Sequence, residues 1–243
     1  MPRMLAAAAF VIGLSMAPAL ADVTVSIGSD GYNDFFDRCD IALSHQGYDG
    51  DVGVIFRVIA GDKGRAICQS LDNSMTCRDS DDLEYTCEDI SLIDVLDVSC
   101  ARDGVMESCG PVSVTLGEGL SIPLTPFPGL GTATADVRVY GTVLGYDDFF
   151  EDCEMGFSYA GPPEVEVVEV RYDVNVPGGT ASCVSSLSGA HGTGRSCSGG
   201  QEFQCDAVTS VVITEMTCSN DGNNIDCGEI TFSTLDPLFS DGR

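Results

Sequence analysis

The twelve cysteines of this 243-residue chain fall into two sets of six. Successive cysteines are separated by 29, 9, 10, 13 and 9 residues in the first set and by 30, 14, 8, 13 and 9 in the second. A spacing pattern that recurs along a chain indicates a duplicated unit. The cysteines are Cys39, Cys68, Cys77, Cys87, Cys100 and Cys109, then Cys153, Cys183, Cys197, Cys205, Cys218 and Cys227.

The residues around the first cysteine of each set also match. GYNDFFDRC at 31–39 corresponds to GYDDFFEDC at 145–153, with six identical positions out of nine. We therefore predict two homologous domains, 22–118 and 131–243. The linker between them, 119–130, contains three prolines, which favour extended backbone. Its apolar residues either continue the last strand of the first domain or fill the groove between the domains.

The N-terminus has the features of a secretory signal peptide. Arg3 precedes an apolar run from Ala6 to Met16, and Ala19-Leu-Ala21 is a small-x-small cleavage site. The run is shorter than the ~20 residues of a spanning helix, and no second apolar stretch of that length follows. We expect residues 1–21 to be removed by cleavage near Ala21-Asp22, leaving a periplasmic or extracellular chain without a transmembrane segment.

The charge of the chain excludes a large class of partners. The 38 acidic residues outnumber 11 basic ones, for a formal net charge of −27, and Lys63 is the single lysine. Nucleic-acid affinity comes largely from clustered Lys and Arg, so we expect no nucleic-acid partner. The partner that we expect is an exported macromolecule, whose identity the sequence leaves open.

The hydrophobic pattern indicates strands. Between Val168 and Val176, apolar residues alternate with Glu169, Arg171, Asp173 and Asn175, which is the period of a half-buried strand. Its counterpart, Val52 to Ala60, has apolar residues on both faces. Short strands between turn residues predict an all-β fold of two tandem antiparallel β-sandwiches with about seven strands each, immunoglobulin-like in architecture.

Disulfides explain the cysteines better than zinc, because zinc ligands come in C-x₂₋₄-C pairs and the closest spacing here is eight. We favour the pairs Cys100–Cys109 and Cys218–Cys227. Each pair lies directly opposite in a hairpin that turns on Gly104-Val105 or on Gly222-Asn223, whereas a turn on Asp103-Gly104 would shift the register. Sequence alone leaves the remaining pairings open.

The shared GY[ND]DFF[DE] motif has two interpretations. Its carboxylates are weak candidates for calcium, a cation that prefers oxygen ligands; they are Asp34, Asp37, Asp147, Asp148 and Glu151. We favour instead aromatic side chains that plug one end of each sandwich while the acids face water, since the motif lacks the D-x-[DN]-x-[DN]-G loop. We therefore expect no cofactor.

The chain offers little for catalysis. The only histidines are His45, expected to be half-buried on a strand, and His191, expected in a flexible insertion. The mature sequence contains neither G-x-S-x-G nor H-E-x-x-H. We expect a non-catalytic binding or structural module. The alternatives are a calcium-stabilised secreted module and a protease-inhibitor-like protein that presents residues 123–128 or 188–195.

The cysteine assignment predicts the mass of the purified protein. Six disulfides remove one hydrogen per cysteine, so the oxidised chain weighs about 12 Da less than the fully reduced chain. Intact mass spectrometry before and after reduction measures this difference. A smaller difference would contradict complete disulfide formation.

Overall fold

The computed structural model describes residues 23–35, 37–71, 74–78, 83–125, 136–147, 151–162, 164–188, 191–198, 203–234 and 236–243. The predicted signal peptide, 1–21, and the end of the predicted linker, 126–130, lie outside these residues. Within the described ranges, no helix is long and apolar enough to cross a membrane.

The chain is nearly all β-structure, as predicted. The first half contains β1 (Val23–Asn33), β2 (Arg38–Gln46), β3 (Asp51–Ala60), β4 (Gly64–Leu71), β5 (Ser74–Arg78), β6 (Leu92–Arg102), β7 (Val105–Glu107), β8 (Val112–Leu116) and β9 (Leu124–Thr125). The second half contains β10 (Val137–Asp147), β11 (Asp152–Ala160), β12 (Val167–Val176), β13 (Gly179–Ser188), β14 (His191–Ser198), β15 (Ser210–Asn220), β16 (Asn223–Ile225), β17 (Ile230–Thr234) and β18 (Phe239–Asp241), with a 3-10 turn at Cys205–Ala207.

Each half has one three-stranded and one six-stranded sheet, in the same strand order. The small sheets run β2-β1-β8 and β11-β10-β17. The large sheets run β5-β4-β3-β6-β7, with β9 beside β6, and β14-β13-β12-β15-β16, with β18 beside β15. β9 comes from the predicted linker, so the described part of that segment extends a sheet of the first half.

A separate hydrophobic core lies within each half, and each core takes side chains from both of its sheets. Val25 of β1 and Phe56 of β3 belong to the first core, and Phe157 of β11 and Tyr172 of β12 to the second. On β12 the side chains of Val168, Val170, Tyr172 and Val174 are buried while their neighbours are not, which is the predicted period of two.

The outer face of β3 is buried as well, because the second half packs against it. Ile55 of β3 and Ile67 of β4 form a third apolar cluster with Tyr140, Leu144 and Ala160 of β10 and β11. We call this contact the seam. It explains why β11 is buried at every position, whereas the matching strand of the first half, β2, is exposed at its end.

Ion pairs and hydrogen bonds surround the apolar part of the seam. Among the side-chain contacts that cross it are Arg138 Nη2 to Asp97 Oδ2 at 3.0 Å, Arg65 Nη1 to Asp236 Oδ2 at 2.6 Å, Arg78 Nη2 to Glu154 Oε1 at 3.1 Å, Arg57 Nη1 to Thr142 Oγ1 at 3.2 Å, and Ser158 Oγ to Gln69 Oε1 at 2.8 Å. Arg57 also pairs with Asp94 within the first half. Burial raises the pKa of the Asp97 carboxyl above its ordinary value, and the nearby Arg138 guanidinium opposes this rise.

The expected hairpin register is wrong. β6 pairs with β7 so that Arg102 faces Val105, and β15 pairs with β16 so that Asn220 faces Asn223. The turns are therefore Asp103-Gly104 and Asp221-Gly222, whose residues all have positive φ. A two-residue type I′ turn needs positive φ at both central positions, and Asp-Gly satisfies that need better than Gly-Val or Gly-Asn.

Six disulfides use all twelve cysteines. They are Cys39–Cys87, Cys68–Cys77, Cys100–Cys109, Cys153–Cys205, Cys183–Cys197 and Cys218–Cys227. In the observed register Cys100 faces Glu107, the last residue of β7. Cys109 lies two residues beyond the end of β7 and forms the disulfide with Cys100. The full set gives both halves the same connectivity and indicates an oxidising compartment.

The seam predicts unequal roles for two equivalent positions. Ile67 is 2% exposed at the seam, whereas Ser182, its counterpart on β13, is exposed. We expect Ile67→Ala to lower the free energy of unfolding by about 2–5 kcal/mol through a lost apolar contact and a cavity. The control, Ser182→Ala, changes it by less than ~0.5 kcal/mol. Urea unfolding with the disulfides intact measures both, and equal losses would contradict the seam.

Candidate binding site at the hairpin tips

The motif shared by the two halves forms the tip of a β-hairpin. In the first half, β1 ends at Asn33 and β2 begins at Arg38, and we call the described residues around this turn, 32–35 and 37–38, the first tip. A bulge between Ser29 and Gly31 precedes the tip, and Asp37 closes it with φ of 50°. The second half has the same features, a bulge between Val143 and Gly145 and positive φ at Glu151. The motif therefore coincides in both halves with a bulge and a positive-φ acidic residue.

Two aromatic side chains of the first tip are exposed to solvent. Phe35 is 84% exposed and Tyr32 is 46% exposed. The prediction that they plug the end of a sandwich is wrong for these two residues, because the turn directs them away from the first core. Phe36, Phe149 and Phe150 lie outside the described residues, and Tyr146 is half-buried.

Short hydrogen bonds fix the shape of the first tip. The Phe35 backbone N–H donates to Asn33 Oδ1 at 3.0 Å, and Asn33 Nδ2 donates to Asp40 Oδ2 at 2.7 Å. The Tyr32 hydroxyl donates to Asp37 Oδ1 at 3.3 Å. Partial burial and the surrounding carboxylates raise the pKa of this hydroxyl above its ordinary value.

The base of the first tip is attached to the segment that precedes β6. The disulfide Cys39–Cys87 joins the two, and Cys39 N–H donates to Tyr85 O at 2.8 Å while Tyr85 N–H donates to Asp37 O at 3.2 Å. A rigid base reduces the conformational entropy that a partner must remove on binding. The second half repeats the arrangement, with the Cys153 N–H donating to Phe203 O at 2.9 Å beside Cys153–Cys205.

The segment itself is held to the β3–β4 turn by one carboxylate. Asp89 Oδ2 accepts from Lys63 Nζ at 2.7 Å, from the Thr86 backbone N–H at 2.7 Å and from the Thr86 hydroxyl at 2.8 Å. These donors, Lys63 foremost, hold the pKa of Asp89 at about 2. The only lysine of the chain therefore supports the end of the molecule where the first tip lies.

Three of the calcium candidates, Asp34, Asp37 and Glu151, have exposed side chains. Asp148 and the side chain of Asp147 lie outside the described residues. Among the residues that the structure describes, no group of three or more His, Cys, Asp or Glu could hold a metal ion. The carboxylates of Asp37, Glu84 and Asp34 lie close enough to Tyr32 to raise the pKa of its hydroxyl.

Both histidines differ from their expected positions. His45 is exposed near the end of β2, although its partner in the register, Val25, is buried. Its counterpart, Tyr159, is buried and donates its hydroxyl to the carbonyls of Val165 and Glu166. His191 begins β14 rather than lying in a flexible insertion, so residues 191–195 of the expected inhibitor loop are strand.

Sequence reasoning missed the network that supports the opposite end of the first half. The Tyr48 hydroxyl donates to Glu107 Oε1 at 2.5 Å, and the Arg102 guanidinium lies 5.2 Å from the centre of the Tyr48 ring. Burial and Glu107 raise the pKa of Tyr48 to about 12. A lone tyrosine in a loop carries no periodic signal, so only the fold brings these residues together.

Comparison with known proteins adds no assignment: no family model matches the chain, and neither the curated proteins nor the solved structures contain a match.

The Asp89 contacts predict a pH-dependent stability difference. The folded pKa of about 2 lies below the ordinary value of 3.8, so the carboxylate stabilises the fold above pH ~4 and loses this effect as the pH falls through about 2. Asp89→Asn should therefore lower the melting temperature at neutral pH and have little effect near pH 2. Lys63→Met should reduce the difference between wild type and Asp89→Asn. A difference that does not vary with pH would rule out this role.

Proposed function

We propose that the protein is an exported, non-catalytic binding module made of two tandem homologous β-sandwiches, and that the first tip contacts its macromolecular partner. The observation that carries this proposal is the 84% exposure of Phe35 on a hairpin whose base is held by a disulfide. Exposing a large apolar side chain to water costs free energy, and burial against a partner recovers about 25 cal/mol per Å².

The similarity of the two halves supports the proposed architecture of two homologous domains. The strand orders, the registers of β3 with β6 and β12 with β15, and the disulfide connectivities all correspond. In each half, the core takes side chains from a small and a large sheet, which is the arrangement of a sandwich. β9 and β18 occupy equivalent places, so we propose that the first unit extends at least to Thr125.

The non-catalytic role agrees with the surroundings of the tip. Two pairs of its polar side chains are hydrogen-bonded to each other: Asn33 with Asp40, and Tyr32 with Asp37. These hydrogen bonds fix the conformation of the first tip and leave its exposed aromatic side chains to contact the partner. Large aromatic residues dominate the binding energy of protein interfaces. The proposal therefore involves no cofactor and assigns the binding energy to Phe35, assisted by Tyr32.

Photo-crosslinking tests the proposal in the cell that exports the chain. The photoreactive residue p-benzoylphenylalanine replaces Phe35 in one variant and Val105 in the control. Val105 is also apolar and 66% exposed, but lies on the β6–β7 turn. We expect an adduct with one exported macromolecule from position 35 and none from position 105. Identical adducts from both positions, or none from position 35, would refute the proposal.

A competition assay makes the test quantitative. Purified wild-type chain should suppress the adduct at position 35, whereas Phe35→Ala should compete about thirtyfold more weakly, the effect of an aromatic hot spot. The melting temperature of Phe35→Ala should equal that of the wild type, because the side chain contributes little to the core. Equal competition by both proteins would exclude Phe35 as the contact.

A further inference from the structure

We infer that the first half binds a small uncharged phenol in a cavity between its small and large sheets. This inference goes beyond the proposed function, because the cavity and the first tip consist of different residues. The cavity lining includes the buried residues Val25, Val52, Val54 and Ser70 and the exposed residues His45 and Asp51. The space that admits the centre of a water molecule is about 60 Å³, several times the ~10–15 Å³ that one water needs.

The second half shows which group the cavity lacks. Tyr159 is the counterpart of His45, since each faces a matching valine across its hairpin, Val139 or Val25. The Tyr159 side chain belongs to the second core, and its hydroxyl donates to two backbone carbonyls just before β12, both at 3.1 Å. His45 is exposed instead. The phenol ring of Tyr159 therefore fills a place in the second half that is open in the first.

The neighbouring pair of core residues differs between the halves without leaving such a gap. Phe157 lies opposite Gly141 in the second half, and a side chain at Gly141 would come within 3.1 Å of the Phe157 ring. The corresponding residues of the first half are Leu43 and Ile27. The smaller residue on one strand is offset by the larger one on the other. Opposite His45 the partner is a valine in both halves, so the lost ring is not replaced there.

A buried hydroxyl in the cavity lining lacks a partner. Ser70 is 6% exposed, and the hydroxyl of its counterpart, Ser185, lies 3.5 Å from the Tyr172 hydroxyl. Phe56 takes the place of Tyr172 in the first half and has no hydroxyl. Among the residues that the structure describes, none is hydrogen-bonded to the Ser70 side chain. Burying a hydroxyl without a hydrogen bond costs free energy, so a ligand that supplies this bond is favoured.

The lining selects the class of ligand. The side chains of Val25, Val52 and Val54 suit an apolar ring, and Ser70 offers a hydrogen bond to a hydroxyl. The carboxylate of Asp51, which pairs with no basic side chain of the described residues, repels an anion. An uncharged phenol meets all three conditions. The simplest one, 4-methylphenol, is the tyrosine side chain without its backbone.

An NMR titration of the oxidised full chain with 4-methylphenol tests the site. We expect the methyl signals of Val25, Val52 and Val54 to shift in a saturable way, with a Kd of about 1 mM or lower, and those of Val105 to stay unchanged. His45→Tyr should fill the cavity with its own ring and weaken binding at least tenfold. The control, Gln46→Tyr, places the same ring on the opposite face of β2 and should leave the affinity unchanged.

Two further comparisons test the hydroxyl and the charge. Ser70→Ala should weaken the binding of 4-methylphenol about tenfold through the lost hydrogen bond. It should not weaken the binding of toluene, which has the same ring and methyl group but no hydroxyl. The anion 4-methylbenzoate should bind the wild type at least tenfold more weakly than 4-methylphenol, because the Asp51 carboxylate repels it.

Each other outcome overturns a defined part. If the three valines show no saturable shift, or if His45→Tyr binds 4-methylphenol as well as the wild type does, the site is refuted. Equal affinities of wild type and Ser70→Ala, or equal binding of the anion, refute the phenol as the ligand class. Neither result affects crosslinking at Phe35, which tests the proposed function separately. If His45→Tyr does not melt as a folded protein, His45→Phe takes its place.

Discussion

The seam between the two halves determines most of what distinguishes this molecule from a pair of independent β-units. Ile55 and Ile67 provide an apolar patch on the outer face of a sheet, and Tyr140 and Leu144 cover it. Apolar burial supplies the attraction, but it is not directional. The ion pairs around the patch supply direction, because a shifted docking that still covered Asp97 would bury its carboxylate without the Arg138 guanidinium.

The seam also contains several of the few basic residues of this chain. Of the 11 basic residues, Arg57, Arg65, Arg78 and Arg138 make contacts across it. Arginine suits this role, since its planar guanidinium stays charged when buried and donates several hydrogen bonds. In a chain with 38 acidic residues, a large share of the few basic residues therefore lies between the two halves. The rest of the chain is left with a large excess of acidic residues.

The duplicated pattern predicted much of the local structure. The alternation of apolar and polar residues on β12 predicted which face of the strand is buried, because that signal depends on residues close in sequence. The matched cysteine spacings predicted matched strands in the two halves, because both halves carry the same set of disulfides. The hairpin register was missed although the decisive residues were visible: Asp103 and Gly104 adopt the positive φ that a type I′ turn requires. The direction of Phe35 was missed for another reason. Whether an aromatic residue beside a turn is buried or exposed depends on the direction of the hairpin tip relative to the core. Sequence periodicity does not predict this direction.

The sequence by itself determined the all-β class, the twelve-cysteine framework and the negative charge, because composition and short-range periodicity act on each segment separately. Only the tertiary structure decided that the outer face of β3 is a buried surface and that its counterpart on β12 carries the exposed Arg171. These features depend on which sheet faces meet. That choice is made by complementary shape and charge between residues such as Arg78 and Glu154, which are 76 positions apart in the chain.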